Sequence, residues 1–165
     1  MTSHGASVKT SAVTRLRRSW QLLHNKPGGI WLFSRLFSFV VPYSGTLKAQ
    51  VLELEPGHAK VRLPDRRKVR NHLNSIHAIA LANLGELASG LSLLMSLPDN
   101  ARGIVTGLNI EYIKKARGEL MAEGRCSLPA ISEDIDITAY ADIKNREGDI
   151  VARVSVDWRV GLVTE

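Results

Sequence analysis

The chain has 165 residues, 44% apolar and 23% charged, which is the composition of one ordinary globular domain with a sizeable core. A single cysteine, Cys126, excludes an internal disulfide framework and suits a reducing, cytoplasmic setting. The net charge of +6 is unevenly spread, because residues 1–52 carry seven bases and no acid, while the rest carries 15 bases against 16 acids.

The basic excess therefore belongs to an N-terminal arm, taken as residues 1–40. A basic arm can meet nucleic acid, anionic lipid or phosphorylated ligands, or it can be a solvated leader. It has no aromatic or glycine-rich nucleic-acid motif, so no nucleic-acid partner is expected. Residues 1–12 read as disordered. Ala12 to His24 reads as a short basic helix, ended by Lys26-Pro27-Gly28-Gly29. A second short helix is expected over 30–41, IWLFSRLFSFVV, apolar nearly all round. It is too short to span a bilayer, which takes about 20 residues. It also lies too deep in the chain for a signal peptide. Packing against the domain is favoured for it over contact with a membrane.

The main domain is taken as 41–165. From Gly45 the pattern turns extended, with two strands around the turn signal Glu55-Pro56-Gly57-His58. Ala59, Val61 and Leu63 alternate with polar or charged neighbours, the period of a half-buried strand. The stretch from Arg70 to Asp99 is read as helical over most of its length. Ala80, Leu84, Leu87, Leu91 and Leu94 mark one apolar face, and the other faces are apolar or small. A helix apolar all round is a buried helix. Its one carboxylate, Glu86, argues against a membrane span, since a charge at mid-helix is costly in lipid. Asn83, Glu86 and Ser89 form its polar stripe. Four extended runs follow, at about 102–115, 117–128, 134–144 and 149–161. No long crossover separates them, so consecutive strands should be antiparallel. Alanines and glycines along the helix (Ala78, Ala80, Ala82, Gly85, Ala88, Gly90) let such a sheet curve closely around it.

Two strands, one long buried helix bearing an acid, then four strands: this order resembles the hotdog fold. The fold class implied is α+β, a curved antiparallel sheet wrapped around one long central helix, with an extra N-terminal helical arm. The stretch NHLNSIHAIALANLGELASGL is similar to the active-site segment of PaaI-like acyl-CoA thioesterases. That family has an Asn, a His six residues later followed by Gly-Gly, and a helical Asp or Glu nine residues after the His. Asn71, His77 and Glu86 fit this spacing, while Ala78-Ile79 stands where the family has Gly-Gly. The next strand, GIVTGLNIEYIKKARGE, is similar in carrying Thr106, Tyr112 and a basic end. The resemblance covers about residues 40–162.

The resemblance implies hydrolysis of acyl-CoA, without a cofactor, by a homodimer or tetramer. It implies Glu86 as base or nucleophile, the Ala78 N–H as oxyanion donor, and Asn71 and His77 positioning the thioester or water. Thr106 is the fifth candidate. Lys114, Lys115 and Arg117 are candidates for gripping the coenzyme A phosphates, and Arg66, Arg67, Lys68 and Arg70 are further bases nearby. Independently of the resemblance, His77 and Glu86 are nine residues apart, about 13 Å along one helix and pointing to opposite sides. One site can use both only across two subunits, or if His77 precedes the helix. The resemblance places Asn71, His77 and Ala78 on one chain and Glu86 and Thr106 on the other.

Each residue also has a plainer use. Glu86 can pair with a buried donor, His77 can cap the helix, Asn71 can shape a turn, and basic strand ends are commonly solvated. Two other functions stay open. One is a non-catalytic acyl-binding protein. The other is a 3-hydroxyacyl-thioester dehydratase, from the fourteen-residue spacing of His72 and Glu86. No metal site is expected, since His58, His72 and His77 have no partners at ligand spacing.

Overall fold

A computed structural model describes residues 11–163 of the chain. Of residues 1–12, expected to be disordered, 1–10 lie outside the described residues, whereas Ser11 and Ala12 are ordered into the first helix. Ser11 opens the first helix, α1 (Ala12–Leu23), its hydroxyl accepting from the Thr14 N–H. Gly28, at φ +72°, then turns the chain into α2 (Gly29–Val40), and a Cβ on Gly29 would overlap the Leu23 carbonyl. Trp20 meets Phe33 edge to face at 5.0 Å, which locks the two helices together. A single turn, α3 (Pro42–Gly45), leads into the sheet.

The strands are β1 (Gln50–Glu55), β2 (His58–Leu63), β3 (Ala101–Tyr112), β4 (Leu120–Arg125), β5 (Ile135–Lys144) and β6 (Ile150–Leu162). They form one sheet in the order β1-β2-β4-β5-β6-β3, every neighbouring pair antiparallel. The long helix, α4 (Ala78–Ser96), packs on its inner face. Along β6 the buried Val154, Val156, Trp158 and Val160 point to this helix and alternate with Arg153, Ser155, Asp157 and Arg159. Leu84, Leu91 and Leu93 are fully buried on α4, each stabilising the fold by about 1.5–3 kcal/mol.

Close approach of helix and sheet rests on three glycines. A Cβ on Gly85 would overlap the Val154 side chain, one on Gly124 would overlap the Ala88 carbonyl, and one on Gly90 would lie 3.2 Å from the Trp158 ring. Of the small residues expected at this contact, Gly85, Ala88 and Gly90 serve it, whereas Ala78 is exposed. The buried serines of α4 satisfy their hydroxyls on the helix itself. Ser89 donates to the Glu86 carbonyl at 3.1 Å and Ser92 to the Ser89 carbonyl at 2.7 Å.

The helix is shorter than the apolar run suggests. It starts at Ala78, because residues 70–77 spend their hydrogen bonds elsewhere. The Asn71 Oδ1 accepts from the N–H groups of Leu73 and Ser75, at 2.9 and 3.1 Å, and Asn74 sits at φ +55°. An Asn that bonds forward to its own backbone competes with the helix. The Ile76 N–H donates to the Ala116 carbonyl at 2.8 Å and the His77 N–H to the Val69 carbonyl at 2.8 Å.

The two sheet edges differ. At the β1 edge α2 covers the strand, and the Ser34 hydroxyl accepts from the Val51 N–H at 3.0 Å. At the other edge the outer side of β3, twelve residues long, has no neighbouring strand among the described residues.

Candidate functional site at the start of the central helix

His77 stands in the N-cap position of α4, with extended backbone and a ring that is exposed. Its Nδ1 accepts from the Ile79 N–H at 3.1 Å. The neutral ring therefore carries its proton on Nε2, which is free to donate. Of the four N–H groups a helix start leaves open, His77 and Ile79 have the partners just named. The Ala78 N–H has no acceptor among the described residues, so it remains available to a negative oxygen. The Ala78 carbonyl accepts from the Tyr112 hydroxyl at 3.1 Å, which ties the helix start to β3.

In front of His77 lies an open cleft of about 610 Å³. Ile79, Ala80, Asn83, Leu47 and Val69 line it, and so do Lys48, Arg66, Lys68 and Arg70. Four bases at one cleft make a strong attraction for anions. Arg70 is engaged by Asp65, with Nε and Nη2 at 2.6 and 2.9 Å from its two carboxylate oxygens. The hydrogen bond from Arg70 holds the Asp65 carboxyl below the usual carboxylate range. Arg66 donates to the Thr46 and Leu47 carbonyls, and its Nε is buried without a partner among the described residues.

Glu86 lies two and a half turns further along, half-buried. Burial alone pushes its carboxyl above the ordinary value, with no donor among the described residues holding the charged form. Asn83 and Ser89 share its stripe without serving it, since Ser89 bonds the Glu86 backbone carbonyl and Asn83 lines the cleft. Gly90, one turn on, keeps open the space between Glu86 and Trp158. A Cβ there would lie 3.8 Å from the Glu86 Oε1 and 3.2 Å from the Trp158 ring. The Trp158 Nε1 is buried and has no partner among the described residues, so an unused donor lies in the same neighbourhood as an unused carboxylate.

Within one chain the candidate residues fall in separate places. Asn71, His77 and Ala78 stand together at the helix start, with the Asn71 oxygen already committed to its turn. Thr106 is the extra residue of a bulge in β3, where Val105 pairs with Trp158 and Gly107 with Asp157. It lines a depression on the outer face of the sheet with Asp136, Thr138, Asp157 and Arg159, away from Glu86. Lys114 pairs with Asp149 at 3.0 Å. Lys115 and Arg117 are exposed on either side of the buried Ala116, whose carbonyl holds Ile76. Lys48, Asn83 and Trp158 were not singled out in the sequence as site residues. Asn83 had a signal, one turn before Glu86 on the polar stripe. Lys48 and Trp158 reach the site from other elements and had none. No cluster of metal-ligating side chains occurs among the described residues.

A family model described as "Domain of unknown function (DUF4442)" matches residues 29–160. The chain belongs to the DUF4442 family. The match begins at the first residue of α2. A Halobacterium salinarum protein with a provisional esterase name is 29% identical over 122 residues, 69% of this chain and 81% of that protein. The crystal structure of a structural-genomics protein, APC5556, matches with a TM-score of 0.77 at 29% identity, covering 90% of this chain and 99% of that one. A Pseudomonas aeruginosa protein described as a probable thioesterase matches with a TM-score of 0.70 at 21% identity, over 78% and 93% of the two chains. A Haemophilus influenzae thioesterase matches at 0.64 and 13% identity, over 74% and 85%. This DUF4442 chain has the hotdog fold, the fold its sequence resembles.

Proposed function

We propose that this protein is a thioesterase that hydrolyses acyl-CoA, with each site built by two chains. The observation that carries the reading is Glu86, a carboxylate on the buried helix, raised by burial and without a partner among the described residues. A carboxyl tuned upward toward neutrality is a good general base. The esterase and thioesterase names of the relatives point to the same chemistry.

In this reading Glu86 takes a proton from water, and the water oxygen bonds to the thioester carbon. The carbonyl oxygen becomes an oxyanion, held by the free Ala78 N–H and the positive end of α4. Collapse breaks the carbon–sulfur bond, and Glu86 returns its proton to the departing thiolate. His77 Nε2–H and Asn83 line the approach, and Lys48, Lys68 and the neighbouring arginines meet the phosphates of coenzyme A.

Two chains are needed because the Ala78 N–H and Glu86 are about 12 Å apart along one helix. The free β3 edge supports the pairing. Leu108 and Tyr112 oppose the buried Val156 and Ala152 of β6, so they lie on the inner face. They are nonetheless 43% and 49% exposed, although the Tyr112 hydroxyl meets the Ala78 carbonyl at the start of α4. A second copy joined edge to edge at β3 would bring its own helix over this strip.

The test is thiol release from short, medium, long and aromatic acyl-CoAs by wild type and Glu86→Gln. A loss of at least a hundredfold in the variant, with the assembly unchanged, supports the reading. No turnover by wild type on any of them rejects it, and binding without turnover would leave a non-catalytic acyl-binding protein.

A further inference from the structure

Helix α2 is built inside out. Phe33 and Ser34 face the domain and are buried. Its solvent face is Trp31, Leu32, Arg35, Leu36 and Phe39, at the i, i+1, i+4, i+5, i+8 spacing of one helical stripe. Trp31 is 57% exposed and Phe39 71%, and the exposed Val40 at the helix end and Tyr43 beyond it extend the patch. The one charge in the stripe, Arg35, lies over the rings of both Trp31 and Phe39, at 5.6 and 5.9 Å. A soluble surface helix normally puts polar residues there, and an apolar patch rimmed by charge marks an interaction surface.

The charge around the patch has one sign. No acid occurs before Glu53. Among the described residues, Arg17 is the only base of this region in an ion pair, so Arg15, Arg18, Lys26, Arg35 and Lys48 are unneutralised. Arg15 and Lys48 flank the stripe. Arg15 shares a groove with Leu36 and Val40, and Lys48 shares another with Trp31 and Phe39. The second groove and the cleft before His77 have Thr46, Lys48 and Arg66 in common.

We propose that the outer face of α2 docks on an anionic lipid bilayer, lying flat in the interface. Twelve residues make a helix of about 18 Å, too short to span and long enough to lie in the headgroup region. The apolar and aromatic side chains enter the interface, and the unpaired bases meet lipid phosphates. A second copy is the less suitable occupant, because like positive fields would face each other and the free strand lies at the opposite edge of the sheet. Residues 1–10 have only Met1, Ala6 and Val8 to offer an apolar face. Docking this way sets the mouth of the cleft beside the bilayer. The proposal stands apart from the hydrolase reading.

The experiment is sedimentation of the full chain with phosphatidylcholine vesicles, with and without phosphatidylglycerol. Wild type should sediment with the anionic vesicles, at least tenfold better than with the neutral ones. Binding should fall as salt rises from about 0.1 to about 1 M, where the screening length drops from about 10 to about 3 Å. The double variant Trp31→Ser, Phe39→Ser should lose it at least tenfold with an unchanged melting temperature. Arg35→Glu is the second variant and should also lose it. Absence of wild-type sedimentation with anionic vesicles overturns the proposal, as does undiminished binding by both variants. A lower mass of the double variant by light scattering, without vesicles, overturns it in favour of a second copy. None of these readouts depends on thioester hydrolysis.

Discussion

The Arg17 guanidinium donates to the Met95 carbonyl at 3.0 Å, so the first helix closes the last turn of the helix that carries Glu86. The same side chain donates to the Leu97 carbonyl and to Asp99 Oδ1 at 3.0 Å. A cation at a helix C-terminus meets both unpaired carbonyls and the negative end of the dipole. Arg17→Ala should therefore lower stability by about 1–2 kcal/mol, read from urea unfolding. Arg17→Lys should recover only part, because a lysine cannot fork to two carbonyls and a carboxylate.

His77 holds the other end. His77→Ala removes the N-cap acceptor and should cost about 1 kcal/mol. His77→Asn supplies another acceptor at the same place and should fold as well as wild type. If the Nε2–H serves the reaction, His77→Asn will still lose turnover on acyl-CoA. A variant with normal stability and normal turnover would restrict His77 to capping.

Glu86 makes stability depend on pH in a defined direction. Its folded carboxyl lies above the unfolded value because of burial. The folded state therefore holds the proton more tightly, and stability falls as pH rises from the ordinary carboxylate range through the raised folded value. Glu86→Gln cannot ionise. Its melting temperature should exceed that of wild type at pH 7, and the gap should close below about pH 4. Differential scanning calorimetry across that range gives the comparison, and a variant less stable at pH 7 would show a charge-stabilising partner for Glu86.

Leu108 tests the pairing at β3. Leu108→Lys puts a charge on the uncovered inner strip of an edge strand, a substitution that blocks edge pairing. The wild type should scatter light as about twice the 18.2 kDa chain, and Leu108→Lys as one. Turnover should fall with the mass, since the Ala78 N–H and Glu86 would no longer meet. A wild type that scatters as a single chain would reject the shared site.

Local pattern carried much of this architecture. The apolar run around Leu84 and Leu91 marked a helix that had to be buried, and the alternation at Ala59, Val61 and Leu63 marked a strand. Both follow from periodicity, which any chain segment carries by itself. The start of α4 was not legible, because Asn71 spends its side chain on the Leu73 and Ser75 N–H groups, and the Ile76 N–H is anchored on Ala116, which only folding brings near. The spacing of His77 and Glu86 forbade a one-sided site on one helix, a conclusion helix geometry alone supplies.

What the tertiary structure decided is which groups have partners. Sequence could not separate Arg17, spent on the end of α4, from Arg35, left over two aromatic rings. Nor could it separate Arg70, held by Asp65, from Lys48 at the cleft. It marked α2 as apolar all round and so as a packed helix, yet one face of that helix meets the domain and the other meets solvent. Composition and period are properties of neighbours along the chain, whereas burial, ion pairing and free edges are sums over neighbours in space. Those sums leave Glu86 half-buried without a partner among the described residues, and Trp31 and Phe39 exposed on the outside.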